Sequence, residues 1–225
     1  MLVIMMNKRI IEKNPWWLTG KVPEGLLGTQ RNEYLDKISR ERKNRKILAI
    51  LGIRRCGKST IIYQAIDRLL EEGVDPKYIL YLSADDLEVP SREHLENGLD
   101  FYQVQTMVSL KDDKTYVFID EIQNIKDWQL LLKKFYDLKY RSKFVVSGSS
   151  STLLYKDSSE SLAGRIHFLN MFPLTFREFL QFNNVEVQGV ELDITSMQKM
   201  KYQLSMRENE ILGYLSQYMR VGGFP

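Results

Sequence analysis

An eight-residue segment constrains this chain more than any other. Residues 52–59 read Gly-Ile-Arg-Arg-Cys-Gly-Lys-Ser and match the pattern G-x-x-x-x-G-K-[ST] in full. Such a loop wraps a phosphate group with backbone N–H groups, and its glycines stand where the chain turns sharply or where a Cβ atom would block close approach. The apolar run 47–51 precedes the loop, and a helical pattern follows it. This order of strand, loop and helix predicts a nucleotide-binding domain.

The residues of the loop have separate predicted roles. Lys58 is expected to reach the β- and γ-phosphates, and Ser59 is expected to offer its hydroxyl to Mg²⁺. The helix that opens near Gly57 would point its positive end at the anion. The other nucleotide-binding candidates come from the loop and the first helical turn: Gly52, Arg54, Arg55, Cys56, Gly57 and Thr60.

Composition limits the compartment and the partners. The 225 residues are 44% apolar and 27% charged, which fits one soluble α/β domain with a small appendage. A net charge of +3 does not by itself argue for a nucleic-acid partner, and the basic stretch 31–46 favours a helix with a solvated face over a nucleic-acid patch. Cys56 is the single cysteine, which we interpret as a small filler and not as a redox residue. A reducing cytoplasm is expected, with no signal peptide and no membrane span.

Apolar strands alternate with helices along the chain. Strands are predicted at residues 46–53, 78–82, 116–119, 143–146 and 165–171. Helices are predicted between them at residues 58–72, 91–110 and around 128–138. Strands that are apolar on both faces and separated by helices indicate a parallel sheet covered on both sides, a three-layer α/β sandwich.

The two ends of the chain have patterns of their own. Residues 7–28 are turn-rich and aromatic, so we expect a lead-in that packs on the domain and is not a helix. After the fifth strand, a Thr-x-x-Glu capping box predicts a helix that begins near Thr175. Residues 195–220 are helical by periodicity.

Two carboxylates close the third strand. Asp120 is expected to hold Mg²⁺ through water, and Glu121 to orient and deprotonate the water that attacks the γ-phosphate. Adjacent acids at a strand end are also common as solvated loop residues. The phosphate loop upstream favours the catalytic interpretation of this pair.

Two further residues carry weaker signals. Ser147 ends the fourth strand, where a hydroxyl could contact the γ-phosphate or the attacking water, although serine-rich loops in such places are commonly turns or caps. Arg165 lies at the junction between a helix and the fifth strand, where it could act as an arginine finger in a neighbouring subunit's site, the alternative being a structural ion pair. His94 and His167 are far apart in sequence, and no metal site is expected on them.

Several segments in order resemble one known family: Asn14-Pro15-Trp16-Trp17, the loop 52–59, Ile119-Asp120-Glu121-Ile122-Gln123, Ser147-Gly148-Ser149-Ser150, Leu162-x-Gly-Arg165, Pro173-Leu174-Thr175-Phe176-x-Glu178-Phe179 and Gly222-Gly223-Phe224-Pro225. Together they resemble the prokaryotic, largely archaeal, AAA-type ATPases in which an ATPase core is followed by a second domain of unknown function. The resemblance covers nearly the whole chain. It implies a P-loop NTPase core of the AAA+ type, with strand order 5-1-4-3-2 and a small helical lid after the fifth strand.

The expected domains are a lead-in at 1–30, the ATPase core at 31–173 and the helical lid at 174–225. In the resembled family the chain continues well past the Gly-Gly-Phe-Pro segment. We therefore expect this sequence to be part of a longer protein with a further C-terminal domain.

The expected activity is Mg²⁺-dependent hydrolysis of ATP to ADP and phosphate, driving a conformational change. The choice of ATP over GTP rests on the resemblance alone. Two alternatives stay open, a slow nucleotide-dependent switch that recruits protein or DNA partners and a small-molecule kinase. Apart from the nucleotide, a homo-oligomer in the longer protein and an unidentified DNA or protein partner are both left open, and no membrane partner is expected.

Overall fold

The sheet at the centre of the protein is fully parallel. A computed structural model describes residues 2–86, 90–149, 161–185 and 208–224. Its strands are β1 (Ile47–Leu51), β2 (Ile79–Ser83), β3 (Tyr116–Asp120), β4 (Lys143–Gly148) and β5 (Ile166–Asn170). Parallel pairing joins them in the order β2-β3-β4-β1-β5. This is the order 5-1-4-3-2 counted from the other edge, so the predicted P-loop NTPase sheet is confirmed.

Helices cover both faces of this sheet. The described α-helices are α1 (Leu2–Lys13), α2 (Trp16–Thr19), α3 (Asn32–Glu41), α4 (Lys58–Glu71), α5 (Arg92–Thr106), α6 (Trp128–Asp137), α7 (Phe176–Phe182) and α8 (Glu208–Val221). On one face, buried side chains of α1, α5 and α6 join those of the strands in one apolar cluster. On the other face, Tyr63 of α4 packs its ring against Tyr81 of β2, with centroids 4.8 Å apart. The predicted three-layer sandwich is therefore correct.

The lead-in differs from its prediction. Residues 7–13 belong to helix α1, so the expectation of a non-helical segment from residue 7 was wrong there. The physical reason is a helical spacing that the turn-rich composition obscured, because Met6 and Ile10 are four residues apart and both are buried in the apolar cluster. Tertiary burial of this face stabilises a helix that begins near the start of the chain.

The Asn14-Pro15-Trp16-Trp17 segment is bound to the edge strand β2. The Asn14 side chain accepts a hydrogen bond from the Tyr81 backbone N–H at 2.6 Å and donates one to the Tyr81 carbonyl oxygen at 2.8 Å. The indole N–H groups of Trp16 and Trp17 both donate to the Ile79 carbonyl oxygen, at 3.1 and 2.8 Å. Side chains of the lead-in thus satisfy backbone groups of β2 that no neighbouring strand reaches.

The chain divides into two compact units, Met1–Arg54 with Lys58–Met171, and Arg55–Gly57 with Phe172–Pro225. In the second unit the predicted capping box is present, since the Thr175 hydroxyl accepts from the Glu178 backbone N–H and the Glu178 carboxylate accepts from the Thr175 N–H. The Tyr218 hydroxyl of α8 donates to the Leu174 carbonyl oxygen at 2.8 Å. The predicted helix at 195–220 is present from residue 208, and residues 195–207 lie outside the described part. The domain limits and the lid stay predictions.

Candidate functional site

The phosphate loop lies between the carboxyl end of β1 and the start of α4. Gly57 has φ +93°, a backbone conformation that glycine adopts without steric cost. Arg55 has φ +66°, which is uncommon for a residue with a Cβ and concentrates at functional sites. Helix α4 begins at Lys58, so its positive end is directed at the loop. The local backbone therefore has the form that the sequence pattern predicts.

Lys58 lies against its own loop. Its side chain is 4% exposed, and its ammonium donates to the carbonyl oxygens of Gly52 at 3.2 Å and Ile53 at 3.3 Å. The same ammonium forms an ion pair with Glu121, with 3.7 Å between Nζ and Oε1. A buried ammonium surrounded by oxygens is thus in place at the loop, beside the candidate base.

The Asp120 carboxylate, at the end of β3, is the centre of the hydrogen-bond network. Its Oδ2 accepts from the Ser59 hydroxyl at 2.5 Å and from the Tyr81 hydroxyl at 3.0 Å. Its Oδ1 accepts from the Ser147 hydroxyl and, at 3.1 Å, from the Glu121 backbone N–H. The structure thus brings together residues from three strands and α4, as expected where parallel strands end at one edge of a sheet.

Glu121 has an unusual backbone and a restrained side chain. Its φ is +51°, in the left-handed region, where a residue other than glycine costs of order 1–3 kcal/mol. Its backbone N–H donates to the Ser147 hydroxyl oxygen at 3.1 Å as well as to Asp120. One carboxylate oxygen faces Lys58, and the other accepts a hydrogen bond from the Gln123 side-chain amide. Ser147, which is fully buried, therefore connects both carboxylate residues.

Sequence reasoning missed Tyr81. Its ring is buried in β2, and burial, together with the charge of Asp120, raises the pKa of its phenol above the ordinary value. The hydroxyl therefore stays a hydrogen-bond donor at neutral pH. The contact follows from the register of β2 and β3, because Asp120 pairs with Ser83 and Tyr81 is two residues earlier, on the same face of the sheet.

The other loop residues differ in accessibility. Arg54, Arg55 and Ser59 are exposed, Thr60 is half-buried, and Gly52 is buried. Cys56 is fully buried, in agreement with its interpretation as a small filler. The exposed position of Ser59 leaves its hydroxyl accessible to a ligand while its proton points at Asp120.

Arg165 lies at the amino ends of the strands, opposite the carboxyl ends where the candidate site is. It directly precedes β5, whose first residue Ile166 pairs with Ile47, the first residue of β1. Five-residue strands are roughly 16 Å long, so this end is far from the loop that follows β1. The guanidinium forms an ion pair with Asp137, with 2.8 Å between Nε and Oδ1. Arg165 therefore does not line the site of its own chain, and its action in a neighbouring site stays a prediction.

The residues present fit a magnesium ion bound together with a nucleotide. The Ser59 hydroxyl and the Asp120 carboxylate are hard oxygen donors, which Mg²⁺ prefers, and it usually adds water and substrate phosphate oxygens to them. In the ranges that the structure describes, no group of three His, Cys, Asp or Glu side chains could hold a metal ion without such help. Phosphate oxygens of a bound nucleotide would complete the coordination.

Comparison with known proteins gives the family. The sequence pattern of a protein family described as "AAA domain" matches residues 44–180, which is more than half of the chain. The chain belongs to this AAA domain family. The match includes the loop, both carboxylates, Ser147 and Arg165, and it supports nucleotide binding and ATPase activity in general terms.

Relatives of this AAA domain occur in bacteria and archaea. An uncharacterised protein of Haemophilus influenzae is 31% identical over 196 residues, covering 87% of this chain and 43% of the relative. An uncharacterised protein of Methanocaldococcus jannaschii is 31% identical over 183 residues, covering 80% of this chain and 36% of the relative. The chain thus spans less than half the length of these curated relatives.

Among solved structures, this AAA domain is similar to the Walker-type ATPase of Pyrococcus abyssi, with a TM-score of 0.46 and 19% identity over 86% of this chain and 76% of the other.

None of the helices in the described ranges combines the length and the apolarity needed to cross a membrane.

Proposed function

We propose that this AAA domain binds ATP with Mg²⁺ and hydrolyses it to ADP and phosphate, and that hydrolysis drives a conformational change. One observation carries the proposal: five residues form one connected set of contacts, namely Lys58 and Ser59 of the loop, Asp120 of β3, Glu121 directly after it and Ser147 of β4. Each has the chemical type that phosphoanhydride hydrolysis needs at this place.

The side chains divide the work. Lys58 would exchange its carbonyl partners for β- and γ-phosphate oxygens, and the start of α4 would add its positive end. Mg²⁺, when bound by the Ser59 hydroxyl that Asp120 holds in place, would neutralise charge on the phosphates. Glu121 would take a proton from the attacking water, whose oxygen bonds to the γ-phosphorus while the bond to the β,γ-bridging oxygen breaks and ADP leaves.

A slow nucleotide-dependent switch is the second candidate. It is favoured by the restraint on Glu121, whose two carboxylate oxygens face Lys58 and Gln123. A carboxylate held on both oxygens has less freedom to turn towards an attacking water, which would slow the proton transfer. Such a protein would bind ATP tightly, hydrolyse it slowly and act by recruiting a partner. The candidate partners are another copy of the chain, a second protein and DNA. We also propose that the protein works in a reducing cytoplasm, as its single cysteine suggests.

The test combines binding and single-turnover measurements on the 225-residue chain. Lys58→Ala should weaken ATP binding in calorimetry, and Glu121→Gln should keep binding but lose phosphate release. Asp85→Asn is the matched control, because it makes the same carboxylate-to-amide change at an exposed residue bonded to Asn124.

Three outcomes separate the possibilities. Unchanged affinity in Lys58→Ala, or unchanged single-turnover hydrolysis in Glu121→Gln, would contradict the proposed site. Slow turnover in the parent, with ADP retained through purification, would favour the switch. Transfer of the phosphate to a small molecule in place of free phosphate would instead indicate a kinase.

A further inference from the structure

The lead-in binds both backbone hydrogen-bonding groups of one residue of β2. Asn14 is fully buried, and its amide pairs with the N–H and the carbonyl oxygen of Tyr81 as a neighbouring strand would. The same amide also donates to the Ile10 carbonyl oxygen of α1 at 2.7 Å. The backbone of Tyr81 is therefore anchored to the lead-in helix.

The side chain of Tyr81 extends this connection into the site. Its ring is 3% exposed and packs against the ring of Tyr63, which limits the phenol to one orientation. In that orientation its hydroxyl donates to Asp120 at 3.0 Å. Asn14, Tyr81 and Asp120 thus form a continuous chain of contacts from α1 to the carboxylate.

Counting acceptor positions shows what the phenol adds. A carboxylate offers about four lone-pair positions. In Asp120 all of them have a donor, with Ser59 and Tyr81 on Oδ2 and Ser147 and the Glu121 N–H on Oδ1. A carboxylate bonded in this way cannot rotate without losing a donor. It therefore keeps the Ser59 proton directed at itself, which leaves the lone pairs of the Ser59 oxygen for a metal ion.

We propose that Tyr81 is a positioning residue for the metal site and that the lead-in, through Asn14, holds Tyr81 in place. Tyr81 touches neither nucleotide nor metal in this account and acts only through Asp120. The inference rests on the proposed Mg²⁺-dependent binding of nucleotide. It gives the Asn14-Pro15-Trp16-Trp17 segment a function in the site as well as in the sheet.

The first experiment measures ADP affinity by calorimetry with and without Mg²⁺, and the ratio of the two affinities is the readout. In Tyr81→Phe this ratio should fall about tenfold, the lower end of the usual effect of losing a partner of a metal ligand. The metal-free affinity should be unchanged. Tyr102→Phe is the matched control, because it removes the hydroxyl of another buried tyrosine, which donates to the Lys77 carbonyl oxygen at 2.6 Å, away from Asp120.

The outcomes distinguish this inference from the proposed function. A parent protein whose ADP affinity is the same with and without Mg²⁺ would overturn both. A parent with a clear Mg²⁺ effect, and the same ratio in Tyr81→Phe, would overturn only the role of Tyr81. An equal fall in Tyr102→Phe would show a general loss of stability, which also rejects the positioning role.

The second experiment tests the lead-in by coupling. Asn14→Ala should lower the Mg²⁺ ratio severalfold in the parent and should add little in the Tyr81→Phe background, because both act through one hydroxyl. Trp17→Phe is its control, since it removes a hydrogen bond to Ile79 on the same strand without touching Tyr81. Additive effects of Asn14→Ala and Tyr81→Phe, or an equal effect of Trp17→Phe, would reject the connection through Asn14.

Discussion

Ser147→Ala is the most informative single change at the candidate site. The hydroxyl is fully buried, donates to Asp120 Oδ1 and accepts from the Glu121 N–H at 3.1 Å. Alanine keeps the strand and deletes only this oxygen. The variant therefore separates the hydrogen bonds of one hydroxyl from the packing of β4.

The structure sets the expected magnitude. A hydrogen bond to a charged group contributes about 1.5–3 kcal/mol and a neutral one about 1 kcal/mol. Asp120 Oδ1 and the Glu121 N–H keep each other as partners at 3.1 Å, so neither is left unsatisfied. We therefore expect Ser147→Ala to lower the free energy of unfolding by about 2 kcal/mol, less than the sum of about 2.5–4 kcal/mol for the two bonds, because the remaining partners keep each other.

The same contacts hold Glu121 in its left-handed conformation, which has a cost of its own. If about 2 kcal/mol of restraint is lost from the reacting geometry, turnover falls about 30-fold, since each 1.36 kcal/mol is a factor of ten in rate. Metal-free nucleotide affinity should stay near that of the parent, because Ser147 does not contact Lys58 or the loop.

The assay pairs urea unfolding with single-turnover phosphate release. Ser142→Ala is the matched control, because Ser142 is also a buried serine of the same segment and bonds to Leu110 and Thr115 at the opposite end of β4. Both variants should lose stability, and only Ser147→Ala should lose turnover. Equal turnover in the two variants would refute the assigned role of the Ser147 hydroxyl.

Three further predictions follow from other parts of the molecule. Arg165→Ala should lower turnover at high protein concentration if the guanidinium acts in a neighbouring site. Asp137→Ala breaks the same exposed ion pair and should leave turnover unchanged. Equal effects of the two changes would leave Arg165 only a structural role. Gly223→Ala should destabilise the second unit by about 1–3 kcal/mol in hydrogen-exchange measurements, since the new Cβ would be 2.3 Å from a backbone oxygen, and Gly213→Ala, with open space around it, should not. Burial lowers the pKa of Lys143 from 10.5 to about 8, so above pH 8 the unfolded chain binds more protons than the folded one. The free energy of unfolding should therefore rise between pH 8 and 10, and this rise should be absent in Lys143→Met.

The parts of the site that were predictable from sequence are local motifs. Lys58 and Ser59 belong to one loop, and Asp120 and Glu121 are adjacent at the end of an apolar strand, so pattern and period were enough. The contacts of Tyr81 with Asp120 and with Asn14 join residues 39 and 67 positions apart, and they depend on which strands become neighbours. Only the sheet order brings these residues together.

The position of Arg165 shows a different limit. The sequence placed it at the start of the fifth strand, and parallel strands start at the end of the sheet away from the loop. The sequence left open a finger in a neighbouring subunit's site and a structural ion pair, and only the structure shows the ion pair with Asp137. Helix α1 was missed for a third reason, because its stability comes from burial of Met6 and Ile10 against the core.

The side chains that cover β2 limit how far the chain can be truncated from its N-terminus. The family pattern begins at residue 44, after Asn14, Trp16 and Trp17. A fragment that starts there would leave the carbonyl oxygens of Ile79 and Tyr81 without their donors, on an apolar edge strand. Such an edge is a template for pairing with another chain, and aggregation of the fragment is the expected result. The family pattern and the shortest fragment expected to stay in solution therefore have different starting points.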